Sequence, residues 1–188
     1  MPSSSTIKMT DDAGQRRLGR IRALSRLMAW LVLFTAAALV VGILAYWWTT
    51  PSDLLRAQAG LTGPGLEIGA ATRVAGFAIS MIPVGILIFG LVYARQCFLA
   101  FADGEIFSRR AVGRLRAFAI AVAASAALKP VAGAALSVLL SWNGEGGSVA
   151  LRLGSDTLLT LIFAGLVAVI AWVMAEAVAI SEENAQFV

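Results

Sequence analysis

The fold of this chain is decided by its first long apolar stretch, Leu27 to Trp48, which reads LMAWLVLFTAAALVVGILAYWW. The stretch contains no charged residue, and it can cross a bilayer because a helix rises about 1.5 Å per residue through about 30 Å of hydrocarbon. Backbone groups in lipid cannot bind water, so such a segment forms a helix whose hydrogen bonds are internal. It also exceeds the short apolar core of a cleaved signal peptide, which indicates a retained transmembrane helix.

Three further apolar stretches have a similar length, over residues 74–94, 117–140 and 157–180. Of the 188 residues, 59% are hydrophobic and 14% are charged, which is far from the balance of a soluble domain. The connections are too short to hold another folded domain. The sequence therefore predicts an all-α polytopic membrane protein with four transmembrane helices in an antiparallel bundle. Residues 1–15 are expected to form a flexible cytoplasmic tail, and residues 16–188 a single membrane domain.

Basic residues are distributed unequally between the two sides of the predicted membrane. Because positive residues concentrate in cytoplasmic loops, we predict that both termini and the central loop are cytoplasmic. The net charge of +4 has the same origin, so we expect the lipid bilayer, and not nucleic acid, to be the direct partner of these arginines. The other two loops carry only Arg56, Arg73 and Arg152. The basic residues on the predicted cytoplasmic side are Lys8, Arg16, Arg17, Arg20, Arg22, Arg26, Arg95, Arg109, Arg110, Arg114 and Arg116.

The central loop has the pattern of an ordered connection. Asp103 and Gly104 are typical of a turn, and Ser108 is placed to cap a helix that continues through Arg116 into the third span. Phe107 precedes that cap as an apolar anchor. The sequence thus predicts a structured cytoplasmic surface between the second and third spans.

The first loop on the opposite side, residues 49–73, is rich in glycine and proline. It leaves room for one short helix around Ser52 to Gln58, and Ser52 is placed to cap that helix. Trp47 and Trp48 lie just before this loop. Because tryptophan concentrates at membrane interfaces, we interpret both as interfacial anchors.

The most unusual residue within a span is Lys129, which we expect near the bilayer midplane. An ionisable group there is costly and usually faces protein or water. Pro130 frees the carbonyl of Ala126, Ser125 lies one turn away, and Glu176 near the end of the fourth span is a candidate partner for the lysine. One hypothesis is an intramembrane polar site formed by Lys129, Pro130, Glu176 and Ser125. The alternative is a kink held by local hydrogen bonds, without transport or catalysis.

The residues needed for common enzyme chemistry are scarce. The chain has no histidine and a single cysteine, Cys97, which disfavours a zinc site and excludes an intrachain disulfide. No span carries paired carboxylates, and no phosphate-binding loop of the required spacing is present. We predict a protein that is not an enzyme and that uses no metal or cofactor.

Two segments carry a family resemblance. Phe101 to Arg116 reads FADGEIFSRRAVGRLR, and Ala175 to Val188 reads AEAVAISEENAQFV. Both segments resemble the domain-of-unknown-function family 2975, and with the four-span layout the resemblance covers about Leu27 to Val188. It implies a four-helix protein of the bacterial cytoplasmic (inner) membrane without an established activity. Members of this family often occur beside small helix-turn-helix regulators, which implies a membrane-bound partner of a transcription factor.

Two functional hypotheses follow from these patterns. The first is a membrane-embedded regulatory or interaction protein that docks a cytoplasmic partner such as a helix-turn-helix regulator. The second is a small transporter or channel subunit with a polar centre at Lys129, for which a homo-oligomer is possible. The residues predicted for cytoplasmic docking are Asp103, Gly104, Phe107, Ser108, Arg109, Arg110, Arg114 and Arg116.

Overall fold

The computed structural model describes residues 4–58, 68–104, 108–141 and 154–185. Within these ranges every regular element is a helix. Four of the five are long and apolar enough to cross a membrane, over Gly19–Thr49, Ala70–Ala102, Arg109–Ser141 and Ser155–Ile180. The predicted all-α fold with four membrane-length helices is confirmed. The helices are α1 (Ser4–Thr49), α2 (Ser52–Gln58), α3 (Ala70–Ala102), α4 (Arg109–Ser141) and α5 (Ser155–Ala185).

The amino end of α1 differs from the sequence expectation. We expected residues 1–15 to form a flexible tail, whereas the helix already begins at Ser4 and runs without a break to Thr49. Extending an existing helix adds one hydrogen bond for each residue that is fixed, so a polar segment can continue a helix that the membrane span has nucleated.

The long helices pack in chain order. The extensive interfaces among the described residues are α1 with α3, α3 with α4, and α4 with α5. Each of these pairs is antiparallel, and α4 has the largest buried share among the four spans. The bundle is therefore an open row with α1 and α5 as its outer helices. Large apolar side chains such as Phe34 of α1 and Trp172 of α5 are more than 70% exposed, which suits a surface solvated by lipid.

Small residues let α3 and α4 approach closely. A Cβ atom on Gly90 of α3 would lie only 2.7 Å from the Cβ of Ala121 on α4. Ala119 and Ala126 of α4 are each 1% exposed, and Ser125 is 3% exposed. In a membrane, where apolar burial gives little net gain between helices, such close packing is a main source of helix association.

The end of α3 and the start of α4 form an elbow, by which we mean residues 97–104 and 108–115, and its turn and its helix cap are as the sequence predicted. Gly104 has a φ of +92°, a conformation that favours glycine, and the Asp103 amide donates a hydrogen bond to the Leu99 carbonyl at 3.0 Å. The hydroxyl of Ser108 accepts a hydrogen bond from the Ala111 amide at 3.1 Å, which confirms its capping role. The predicted anchor, Phe107, lies outside the described residues.

The short helix α2 covers the predicted residues, Ser52–Gln58. Leu55 is the buried residue of α2, with only 2% of its surface exposed. The prediction that Ser52 caps α2 is wrong, because the Ser52 hydroxyl instead accepts a hydrogen bond from the Ile68 amide at 3.3 Å. Ser52 thus joins α2 to the start of α3.

Candidate functional site

Antiparallel packing gathers the arginines at one end of the helices, which we call the arginine end. It comprises the start of α1, the end of α3 and the start of α4, and the end of α5 lies beside α4 there. Most of these arginines are exposed, so the arginine end is a positively charged surface. Its described arginines are Arg20, Arg22, Arg26, Arg95, Arg109, Arg110, Arg114 and Arg116.

A small buried core holds the elbow between α3 and α4 at the arginine end. It consists of Cys97, Ala100 and Ala111, with Phe101 and Leu115 packed against them. The Cys97 thiol donates a hydrogen bond to the Ala111 carbonyl at 3.5 Å. Small side chains pack the end of α3 against the start of α4, and the Ser108 cap fixes the first turn of α4.

The predicted docking residues at this elbow fall into two groups, one that links the helices and one that is exposed. Arg114 is half-buried, and its guanidinium donates a hydrogen bond to the Gln96 carbonyl at 3.0 Å, so it links α4 to α3. Arg109, Arg110 and Arg116 are exposed on α4, and Asp103 and Gly104 are exposed in the turn. The structure therefore brings these predicted residues together on one charged surface.

The arginine end also contains a groove that the sequence analysis did not predict. It lies between α4 and α5, has a volume of about 660 Å³, and is bordered by Arg109 and Arg116 on the α4 side. The α5 wall is made largely of alanines, among them Ala168 and Ala175, together with Trp172. The available signal was the recurrence of alanine along one face of the fourth span at helical spacing.

The opposite end of the molecule contains Lys129, whose partner differs from the expected one. Its ammonium lies 3.6 Å from the Asp156 carboxylate, and both side chains are largely exposed. Ile120 and Ala168 border the same groove, which fixes the register of α4 against α5. In this register Glu176 is level with residue 112 of α4, about 26 Å from Lys129 along the helix axis, so the two cannot pair.

In the same register, Lys129 does not lie near the middle of the α5 span, where a residue at the bilayer midplane was expected. Helix α5 begins at Ser155, roughly level with residue 133 of α4, so Lys129 lies about 6 Å inside the start of α5. A lysine side chain can span that depth and place its charge near the interface. Pro130 and Ser125 are buried on the side where α4 packs, while Lys129 is exposed. The four residues of the predicted polar site therefore do not converge, and these contacts favour a structural role for Lys129.

We expect Lys129→Met to change the free energy of unfolding by less than about 1 kcal/mol, because exposed ion pairs contribute little. The measurement is the thermal unfolding midpoint in detergent micelles, with Asp156→Asn and the double variant as comparisons. A loss of several kcal/mol in Lys129→Met, absent from Asp156→Asn, would contradict the structural role.

A second cluster that the sequence analysis missed joins α1 to α3 at the opposite end. Trp47, expected at the lipid interface, is 2% exposed, and its indole N–H donates a hydrogen bond to the Ser80 hydroxyl at 3.1 Å. Its ring lies directly over Gly76, where a Cβ atom would overlap it. The Arg73 guanidinium donates hydrogen bonds to the carbonyls of Trp47 and Thr50, so it caps the end of α1. The interfacial prediction is therefore wrong for Trp47.

Comparison with known protein families gives a match over most of the chain. The family model described as "Protein of unknown function (DUF2975)" matches residues 59–188. The chain belongs to this family. No curated protein and no solved structure matches it.

The matched residues of this DUF2975 protein begin between α2 and α3. Helices α3, α4 and α5 lie within the matched residues, whereas α1 and α2 precede them. We expected the resemblance to begin near Leu27, and the match begins later. Both the elbow and the groove belong to the matched part, and the Trp47 cluster joins the preceding helix to it. In the part of the DUF2975 protein that the structure describes, no three side chains of His, Cys, Asp or Glu are close enough to hold a metal ion.

Proposed function

We propose that this DUF2975 protein is a membrane-embedded interaction protein that docks a cytoplasmic protein on its arginine end. The observation that carries the proposal is the elbow, where exposed arginines lie on the capped first turns of α4 and the start of α4 packs against the end of α3. Interfaces gain specificity and association rate from charge complementarity, so the partner presents an acidic surface. A bacterial helix-turn-helix regulator is the partner that the family resemblance suggests.

The charges at the two ends support a cytoplasmic location for the arginine end in a bacterial inner membrane. At the opposite end, Arg73 is bonded to the carboxyl end of α1 and Lys129 is paired with Asp156. Among the side chains that the structure describes, exposed arginines are therefore concentrated at the arginine end, which the positive-inside rule assigns to the cytoplasm. In this orientation both termini are cytoplasmic.

The proposal is tested by site-specific crosslinking in native membranes. A photoreactive amino acid replaces exposed Asp103, and a second protein carries it at Phe163, an apolar position on α5 that is 56% exposed. We expect one soluble DNA-binding protein to crosslink from position 103 and not from position 163. Equal crosslinking from both positions, or the absence of a protein adduct at 103, would contradict docking.

Charge reversal at the surface provides the specific test. We expect Arg110→Glu to lower the yield of the position-103 crosslink about ten-fold, because it places a negative charge against an acidic partner. The matched control is Arg20→Glu, which makes the same charge change on α1 at the same end. If both variants lower the yield equally, the attraction is only general surface charge and the elbow is not the docking site.

A further inference from the structure

The row of helices has two free edges, because α1 and α5 each pack along a single side. Among the described residues, α1 makes its extensive contacts with α3 and α5 makes its own with α4. These two helices contain the least buried of the four spans. Neighbouring spans alternate in direction, so α1 runs away from the arginine end and α5 runs back toward it. A second copy that placed its α1 beside α5 would therefore continue the antiparallel alternation.

Contacts within the bundle place the two edges on one depth scale. Trp47 of α1 lies over Gly76 of α3, and a Cβ atom on Gly90 of α3 would meet Ala121 of α4. In the register between α4 and α5 given above, Glu176 is level with residue 112 of α4. Because every pair is antiparallel, a step along one helix is an opposite step along its neighbour. Glu176 is thereby level with residue 99 of α3 and residue 24 of α1.

Opposite charges lie at this shared depth on the two edges. Arg26 of α1 is two residues from the level of Glu176, a difference of about 3 Å along the axis, and both side chains are exposed. Within the part of the chain that the structure describes, neither takes part in a hydrogen bond or an ion pair. Glu176 also lies on the face of α5 opposite Ala171 and Val178, which are buried. The α1 edge is thus positive and the α5 edge negative at one depth.

Side-chain size is complementary at a second depth. Phe34 of α1 is 74% exposed, and in the same register it is level with residue 166 of α5. Gly165 lies at that level, and no heavy atom lies within 4 Å of its potential Cβ position. A large ring on one edge and an open glycine on the other allow two helices to approach closely, and close packing drives helix association in lipid. Charge and size therefore match in a single register.

We propose that this chain binds a second copy of itself in the membrane, with α5 of one copy packed against α1 of the next. Arg26 of one copy pairs with Glu176 of the other, and Phe34 packs over Gly165. The two contact faces differ, so the interface is head-to-tail and each copy can bind one neighbour at each edge. The interface lies along the sides of the bundle and uses no residue of the elbow, so it is separate from the proposed protein docking.

Disulfide crosslinking between two copies in isolated membranes tests this interface. One copy carries Phe34→Cys and a first affinity tag, and a co-expressed copy carries Gly165→Cys and a second tag. The matched control replaces Phe34→Cys by Val41→Cys, which is on the same exposed face of α1 but about 10 Å further along its axis. After mild oxidation, we expect the adduct that contains both tags to form with about ten-fold higher yield from position 34 than from position 41.

Three results would overturn the proposal. The first is equal yields from positions 34 and 41, and the second is the absence of an adduct from position 34. The third is an equal yield when both tagged copies carry Phe34→Cys alone, because α1 would then pair with α1. Cys97 is buried and is present in every sample, so it does not affect these comparisons.

Exchange of charges separates the ion pair from general surface charge. We expect Arg26→Glu in the Phe34→Cys copy to lower the adduct yield about ten-fold, because an attraction becomes a repulsion. Adding Glu176→Arg to the Gly165→Cys copy restores opposite charges, and the yield should return to within about two-fold of the original. A loss that the second change does not restore, or the absence of a loss in Arg26→Glu, would overturn the pairing of Arg26 with Glu176.

Discussion

Gly76→Val is expected to separate α1 from α3 and to lower the free energy of unfolding by about 3 kcal/mol. The Trp47 ring occupies the space into which any side chain at position 76 would extend. Trp47 cannot move freely, because its indole N–H is bonded to Ser80, whose hydroxyl donates to the Gly76 carbonyl at 2.8 Å. The thermal midpoint in detergent micelles should fall by about 6 °C or more.

The same helix provides the control for this prediction. Gly85 has no heavy atom within 4 Å of its potential Cβ position, so Gly85→Val should leave the thermal midpoint nearly unchanged. Combining Gly76→Val with Trp47→Ala should cost less than the sum of the two single changes, because the overlap is removed. Equal losses in Gly76→Val and Gly85→Val would show that the substitution acts through helix propensity and not through the Trp47 cluster.

Gly90→Ala is the second change with a large expected effect, because the new methyl group would meet the Ala121 Cβ at 2.7 Å. Moving α4 away from α3 should cost about 1–3 kcal/mol and loosen the elbow. The sole cysteine reports this movement directly, since Cys97 is 2% exposed and belongs to the elbow core. We expect its reaction with a maleimide to accelerate about ten-fold.

The compensating change is Ala121→Gly, which transfers the methyl group from one helix to the other. The double variant should recover most of the lost stability and restore slow labelling of Cys97. Failure of the double variant to recover either property would mean that close approach of α3 and α4 at this point does not hold the elbow together.

The sequence was sufficient for features that depend on length, composition or local turn chemistry. The span from Leu27 to Trp48 is predictable because lipid requires a long apolar helix. The elbow is predictable because glycine at position 104 and serine at position 108 have specific backbone roles. These features depend on neighbouring residues in the chain and need no knowledge of helix pairing.

The remaining features depend on register, which a uniform apolar pattern does not encode. Trp47 and Trp48 have the same chemistry, and only the position of Gly76 in the next membrane helix determines which of them is buried. Lys129 pairs with Asp156 and not with Glu176 because α5 begins partway along α4. The groove likewise arises from how two alanine-rich faces are aligned. Hydropathy predicts the helices, whereas their lateral contacts require the structure.

The packing order also determines how the chain can assemble during synthesis. Each membrane helix forms its extensive contacts with the membrane helix before or after it, so partners become available in the order in which they emerge from the ribosome. Contacts between consecutive segments require little chain closure. The Trp47 cluster can therefore form as soon as α3 is inserted, and the elbow once α4 follows. Assembly then proceeds stepwise along the chain, and α5 completes the groove last.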